Sequence, residues 1–162
     1  ENGNDEILKA MNKRITIEQV REAIKLTKRA GISILMDIMI GYPGETAQQI
    51  KNTIEFSKGM SPDFIQTGIT TLFPGTKIFK VDLESGFLKE DYWRNIAKNP
   101  PQKIAPPFAS EKFSREELEK LLHEVYIRFY FRPQYMLKRL MKINSFTEFV
   151  RQVGAGLHLL FG

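Results

Sequence analysis

The stretch Ile32-Ser33-Ile34-Leu35-Met36-Asp37-Ile38-Met39-Ile40-Gly41-Tyr42-Pro43-Gly44-Glu45-Thr46 decides how the rest of the chain is read. Its first nine residues are nearly continuous in apolar side chains and rich in isoleucine, the pattern of a strand buried on both faces of a parallel sheet. Residues 41–45 then turn through Pro-Gly. Thr46, followed three residues on by Gln49, opens a capping box and a helix carrying Ile50, Ile54 and Phe56. Upstream, Thr16 with Gln19 opens an earlier helix in which Val20, Ala23, Ile24, Leu26 and Ala30 recur at helical spacing, and Gly31 stands where a left-handed cap belongs.

The unit repeats downstream. Ser61-Pro62-Asp63 closes the connection, residues 64–72 form a second strand, and Phe73-Pro74-Gly75-Thr76 feeds a short helix through Ile78, Phe79, Val81 and Leu83 that stops near Gly86. Strands alternating with helices across short links predict parallel pairing through right-handed crossovers. Two strands can neither close a barrel nor shield both faces of a sheet. Further strands are therefore expected upstream, and Glu1 reads as a cut point rather than a natural start. Residues 87–113 read as an irregular, proline-rich connection with Pro100, Pro101, Pro106, Pro107 and the single Trp93. Ser114 with Glu117 opens a long helix to Phe131, with Leu118, Leu121, Leu122, Val125 and Phe129 on one face. Pro133 breaks or restarts it. Ser145 with Glu148 caps a last helix in which Phe146, Phe149, Val150, Val153, Leu157 and Leu160 recur at helical spacing. The expected fold is α/β, with residues 1–86 as the strand-bearing part and residues 114–162 as a helical cover.

Composition sets the outer bounds. The chain has 162 residues, 42% hydrophobic and 27% charged, which suits one globular domain with a real core. It has no apolar run of about 18 residues that could span a bilayer. Its polar start does not resemble a signal peptide, so a cytoplasmic location is expected. Cysteine is absent. That excludes disulfides, thiolate zinc sites, cysteine nucleophiles and thiolate-held iron–sulfur clusters. His123 and His158 are too few and too far apart in sequence to suggest a metal site. The net charge of +5 permits contact with nucleic acid or anionic lipid without arguing for either.

In parallel α/β folds, ligands bind at the C-terminal ends of the strands. Here those ends are residues 41–45 and 73–76. Both contain Pro-Gly, where a flat ligand can approach the backbone, and both abut a helix N-terminus. The alternative is that Pro-Gly only turns the chain and Thr46 only caps. Alternation puts Leu35, Asp37 and Met39 on one strand face and Met36, Ile38 and Ile40 on the other. The isoleucine face should pack on helices, leaving Asp37 either facing a lumen near substrate or satisfied by a neighbouring lysine or amide. In the second strand Gln66, Thr70 and Thr71 add polarity, with the inward face left open. His123 is expected at the surface. Arg128, Arg132, Lys138, Arg139, Lys142 and Arg151 are expected to form a solvated basic face, ahead of a phosphate contact or a membrane surface.

Three stretches together resemble the radical S-adenosylmethionine (SAM) superfamily, particularly its cobalamin-associated branch, which includes the anaerobic magnesium-protoporphyrin monomethyl ester cyclases. Glu1-Asn2-Gly3-Asn4 with residues 7–13 resembles the segment after the fourth barrel strand. Residues 37–46 are similar to the fifth-strand motif, and Phe73-Pro74-Gly75-Thr76 to the turn after the sixth. Phe129-Tyr130-Phe131-Arg132-Pro133 resembles a helix ending of the cobalamin-associated branch. Asn2 departs from the usual serine and Met39 from the usual isoleucine or valine.

The resemblance implies the C-terminal part of a partial (βα)6 barrel. It also implies SAM and a [4Fe–4S] cluster in the complete enzyme, with cobalamin as a further cofactor of the branch. Glu1 would contact the ribose or methionine part of SAM, Met39 and Gly41 would border the adenine, and Phe73, Pro74 and Gly75 would offer backbone to its edge. Asp37 would face substrate. The cluster loop is not among these residues, so the chain alone is expected to be inert. It would need the N-terminal half of the barrel and a cobalamin domain as partners. The resemblance favours a small-molecule substrate such as a tetrapyrrole, and no nucleic acid. A tRNA-modifying enzyme and a non-catalytic nucleotide-binding module are the alternatives.

Overall fold

The computed structural model describes residues 1–102, 104–141 and 143–161, with the side chains of His158 and Phe161 left out. Lys142, counted above in the basic tail, thus lies outside the described residues, as does the His158 imidazole. Among the described residues the order is α1 (Asp5–Ala10), α2 (Ile17–Arg29), β1 (Leu35–Ile40), α3 (Ala47–Met60), β2 (Phe64–Ile69), α4 (Lys77–Glu84), α5 (Tyr92–Lys98), α6 (Arg115–Tyr130), α7 (Pro133–Leu140) and α8 (Phe146–Phe161).

The two strands pair in parallel, in register from Leu35 opposite Phe64 to Ile40 opposite Ile69. Thr70 extends the ladder, its amide and hydroxyl both donating to the Ile40 carbonyl at 2.8 and 3.0 Å. β1 is shorter than the apolar run that predicts it, because Ile32 and Leu35 are 60% and 56% exposed and the run begins outside the sheet. It is also buried on one face only. Ile38 and Ile40 pack with Ile50 and Ile54 of α3, Ile65 of β2, and Leu118, Val125 and Phe129 of α6. On the opposite face Leu35, Asp37 and Gln66 are exposed, and Arg139 lies over the ring of Phe64. This is the division of faces that alternation predicts.

Caps fix the helix starts where the sequence predicts them. Thr16, Thr46 and Ser114 each accept from the amide three residues on, and Gln19, Gln49 and Glu117 answer back onto the cap's own amide. Each such box satisfies two N–H groups that a helix start leaves open. Gly31 and Gly86 end their helices with φ of +72° and +79°. The connection 87–113 is not wholly irregular, however. Asp91 caps α5 by accepting from Arg94, and Trp93 within it donates to the Leu72 carbonyl at 2.6 Å. The prolines all follow this short helix. α2, whose apolar residues recur at helical spacing, has no buried residue, and Leu26 is 54% exposed.

The free edge of β2 is closed by side chains. Tyr130 and Tyr126, four residues apart on α6, each serve β2 twice. The Tyr130 hydroxyl accepts from the Ile65 amide at 3.1 Å and donates to the Ile65 carbonyl at 2.9 Å. The Tyr126 hydroxyl does the same for Thr67 at 2.9 and 3.3 Å. A phenol both donates and accepts, so two tyrosines at helical spacing satisfy alternate residues of an edge strand. Of the basic residues expected on a solvated face, Arg128, Lys138 and Arg151 are exposed, while Arg132 and Arg139 are half-buried. Arg132 donates to the Phe129 and Lys58 carbonyls, Arg128 pairs with Glu124 at 2.6 Å, and Arg139 lies over the Phe64 ring.

Candidate functional site

The site at the strand ends is built on a buried carboxylate. Glu45 is 1% exposed, although it belongs to a turn. Its Oε2 accepts from the amides of Gly41 and Tyr42 at 2.8 and 3.2 Å, and its Oε1 from Asn2 Nδ2 at 2.6 Å. One side chain thereby closes the loop that leaves β1 and ties it to residues 1–4. Burial pushes the Glu45 carboxyl above the ordinary glutamate range, and the donors from Asn2, Gly41 and Tyr42 pull it partly back. Asn2 carries the network onward. Its Oδ1 accepts from the Asn4 amide, from Asn4 Nδ2 and from the Thr53 hydroxyl. Gly3 lies so close to α3 that a Cβ there would sit 2.6 Å from the Thr53 Cα.

Glu1 and Asn2 thus meet β1 at Met39, while Gly3 and Asn4 contact α3. The Met39 amide donates to the Glu1 carbonyl at 2.8 Å, which sets Glu1 beside Met39 at the strand end. The Glu1 carboxylate pairs with Lys13 at 2.6 Å, both partly exposed. Tyr42 ties the loop to α1 by donating to the Ala10 carbonyl at 2.9 Å. Gly41 has φ +75°, and a Cβ on it would meet both Leu118 methyls at 3.0 Å. The missing side chain therefore makes room for α6 at this position.

The second loop lies beside the first. Phe73, 52% exposed, stacks on Trp93 with ring centroids 5.3 Å apart. Pro74 and Gly75 follow it in the exposed turn, Gly75 at φ +81° with open space around its Cα. Thr76 closes the turn, its hydroxyl donating to the Phe73 carbonyl at 2.7 Å and accepting from the Phe79 amide. Between the loops, Met39 is in register with Gly68, where an added Cβ would meet nothing within 4 Å. Asp37, in register with Gln66, is exposed on the same face. The structure therefore brings Glu1, Asp37 and Met39 together on one strand and its edge, with Gly41 just beyond. Phe73, Pro74 and Gly75 belong to the neighbouring loop. His123 is exposed on α6, away from this group.

Sequence reasoning missed Asn2, Glu45 and Thr53 as members of the site. The signal was there in the pattern 50/53/54/57 of α3, a buried stripe that mixes Ile50 and Ile54 with Thr53 and Ser57. Hydroxyls on a core face mark a polar partner to be met. A further carboxyl, Asp82 of α4, is 7% exposed, and its Oδ2 has no hydrogen-bond partner. Burial, with Glu111 adding to it, raises its pKa.

Over Met39 and Gly68 the strand face is open, with no atom within 4 Å of a Cβ added at Gly68. A metal cluster does not fit these residues. The chain has no cysteine, and the described residues hold no group of three or more His, Asp or Glu suited to a metal ion.

Residues 1–57 match the family model of the radical SAM superfamily. The chain is 32% identical over 146 residues to an uncharacterized methyltransferase of Pyrococcus horikoshii, covering 90% of this chain and 31% of that protein. It is 31% identical over 83 residues to a probable threonylcarbamoyladenosine tRNA methylthiotransferase of Methanocaldococcus jannaschii, covering 50% of this chain and 19% of that protein. It is 28% identical over 132 residues to a tRNA-2-methylthio-N(6)-dimethylallyladenosine synthase of Herpetosiphon aurantiacus, covering 75% of this chain and 29% of that protein. The chain thus spans less than a third of the length of each of these relatives. The matched residues 1–57 include the loop that Glu45 closes.

Proposed function

We propose that the chain supplies the SAM-facing ends of the last two strands of a partial (βα)6 barrel, in a radical SAM enzyme that transfers a methyl or methylthio group. The reading is carried by the 146-residue match to a methyltransferase, which is long enough to include both strand-end loops wherever it begins. In this reading Met39 and Gly41 border the adenine, and the backbone of Phe73, Pro74 and Gly75 meets its edge. Glu1, fixed beside Met39, reaches the ribose or methionine part, and Asp37 faces the substrate. When bound, SAM supplies the methyl group and the adenosyl group that abstracts hydrogen. The chain's own residues bind and orient it: Glu45 and Asn2 hold the loop rigid, and Phe73 on Trp93 walls one side. Cobalamin enters only as what the resemblance implies, held outside this chain.

For the substrate, a tRNA base is favoured over the tetrapyrrole-like molecule expected from the sequence. The observation behind this is that proteins named as a tRNA methylthiotransferase and as a tRNA-2-methylthio-N(6)-dimethylallyladenosine synthase are among the relatives. The test uses the full-length gene product with its cluster reconstituted, given SAM labelled in the methyl group together with tRNA and a small-molecule extract. Label recovered in tRNA is the expected result. Label recovered only in small molecules overturns the tRNA reading, and failure to bind SAM overturns both.

A further inference from the structure

The last two helices carry a surface that the strand-end site does not use. Half of the exposed large apolar side chains among the described residues fall between 136 and 160. They divide into two sets. Met136, Leu140, Phe149, Val153, Leu157 and Leu160 line an apolar groove of about 670 Å3 between α6, α7 and α8. Leu137, Met141, Phe146 and Val150 lie outside it around the α7–α8 turn, 59%, 73%, 81% and 53% exposed. A cluster of that kind at one turn costs solubility unless something covers it.

Charge indicates what covers it. Residues 132–162 contain Arg132, Lys138, Arg139, Lys142 and Arg151 against the single acid Glu148, so +4 of the chain's net +5 lies in this last fifth of the sequence. Arg132 and Arg139 are engaged with carbonyls and with the Phe64 ring. Lys138 is half exposed in a loose pair with Asp63 at 3.5 Å, and Arg151 is exposed beside Val150. A nucleic-acid backbone would take this charge but leave Phe146 and Met141 in water. A second copy would bury them but set like charge against like charge. An anionic bilayer surface accepts both, with the basic groups among the headgroups and the apolar ones at the acyl boundary. No helix among the described residues is long and apolar enough to cross a membrane, so the contact would lie on the surface.

We propose that the α7–α8 turn docks this protein on an anionic lipid surface through Met141, Phe146 and Val150, with Lys138 and Arg151 on the headgroups. The proposal is independent of the strand-end chemistry. It is tested by flotation of the 162-residue chain with vesicles of phosphatidylcholine alone or mixed with phosphatidylglycerol, at low and high salt. The expected result is flotation with the mixed vesicles only, weakened by salt as screening shortens the reach of the charges. Phe146→Ser combined with Met141→Ser should lower the bound fraction by about tenfold or more, given the apolar area each side chain withdraws from water. Arg151→Glu should lower it too, while far-UV circular dichroism stays unchanged for every variant. Equal behaviour with both vesicle types overturns the proposal. So does a dimer in vesicle-free solution that the Phe146→Ser and Met141→Ser pair breaks, or tRNA binding that these serine substitutions leave intact and Arg151→Glu abolishes.

Discussion

At the scale of single residues, the strand-end loop depends on the two buried oxygens of Glu45. Three N–H donors converge on it, from Gly41, Tyr42 and Asn2. Glu45→Gln keeps the shape but turns one oxygen into a donor facing a donor, in a place water does not reach. The expected loss is about 1–3 kcal/mol, the cost of one buried polar group left unmatched, measured by urea unfolding. The pH dependence follows from burial. Folding raises the Glu45 pKa above its ordinary value of 4.5, so above that pH the folded chain holds more protons than the unfolded one. Stability from this group is therefore greatest below pH 4.5 and declines as pH rises through the folded-state pKa. E45Q should lack that decline. A wild-type slope of the same sign and size as that of E45Q would show that Glu45 is not its source.

At the scale of elements, the tyrosine pair on α6 does for β2 what a further strand would do. Tyr126→Phe and Tyr130→Phe each remove a group that donates once and accepts once, and each should cost about 1–3 kcal/mol. The amides of Ile65 and Thr67 should then exchange hydrogen faster, while those of Ile38 and Ile40 on β1 stay protected. The double variant should also self-associate through the bared edge. Unchanged exchange at Ile65 and Thr67 would mean that the hydroxyls are not what protects them.

The sequence shows most of this element scale and little of the pairing. Thr16, Thr46 and Ser114 announce their helices because capping is local chemistry, legible from residues three apart. Ile38 and Ile40 against Asp37 announce the buried and open faces because alternation is local too. Tyr126 and Tyr130 give no such sign, since their partners are some 60 residues upstream and a tyrosine four residues from another reads as ordinary core. Glu45 was hidden for the same reason, its partner Asn2 being 43 residues away. Position 41 was legible as a glycine, but not the Leu118 methyls that require it.

At the scale of the whole molecule, the parts divide by task. Residues 1–4, β1, β2 and their loops shape an open strand-end face, α6 seals the free edge and supplies the core, and α7 with α8 turn an apolar, basic surface outward. The central claim is that the open face over Met39 and Gly68 receives the adenosine part of SAM. Gly68→Phe tests it most directly, because the chain itself leaves that space empty: an added Cβ meets no atom within 4 Å. The substitution should leave the fold and its unfolding midpoint nearly unchanged, yet fill the volume a bound adenine needs. In the full-length gene product with its cluster reconstituted, SAM binding measured by calorimetry should weaken by about tenfold or more, with the cluster's absorption spectrum unaltered. Wild-type affinity in Gly68→Phe would contradict the account and move the cofactor away from this face.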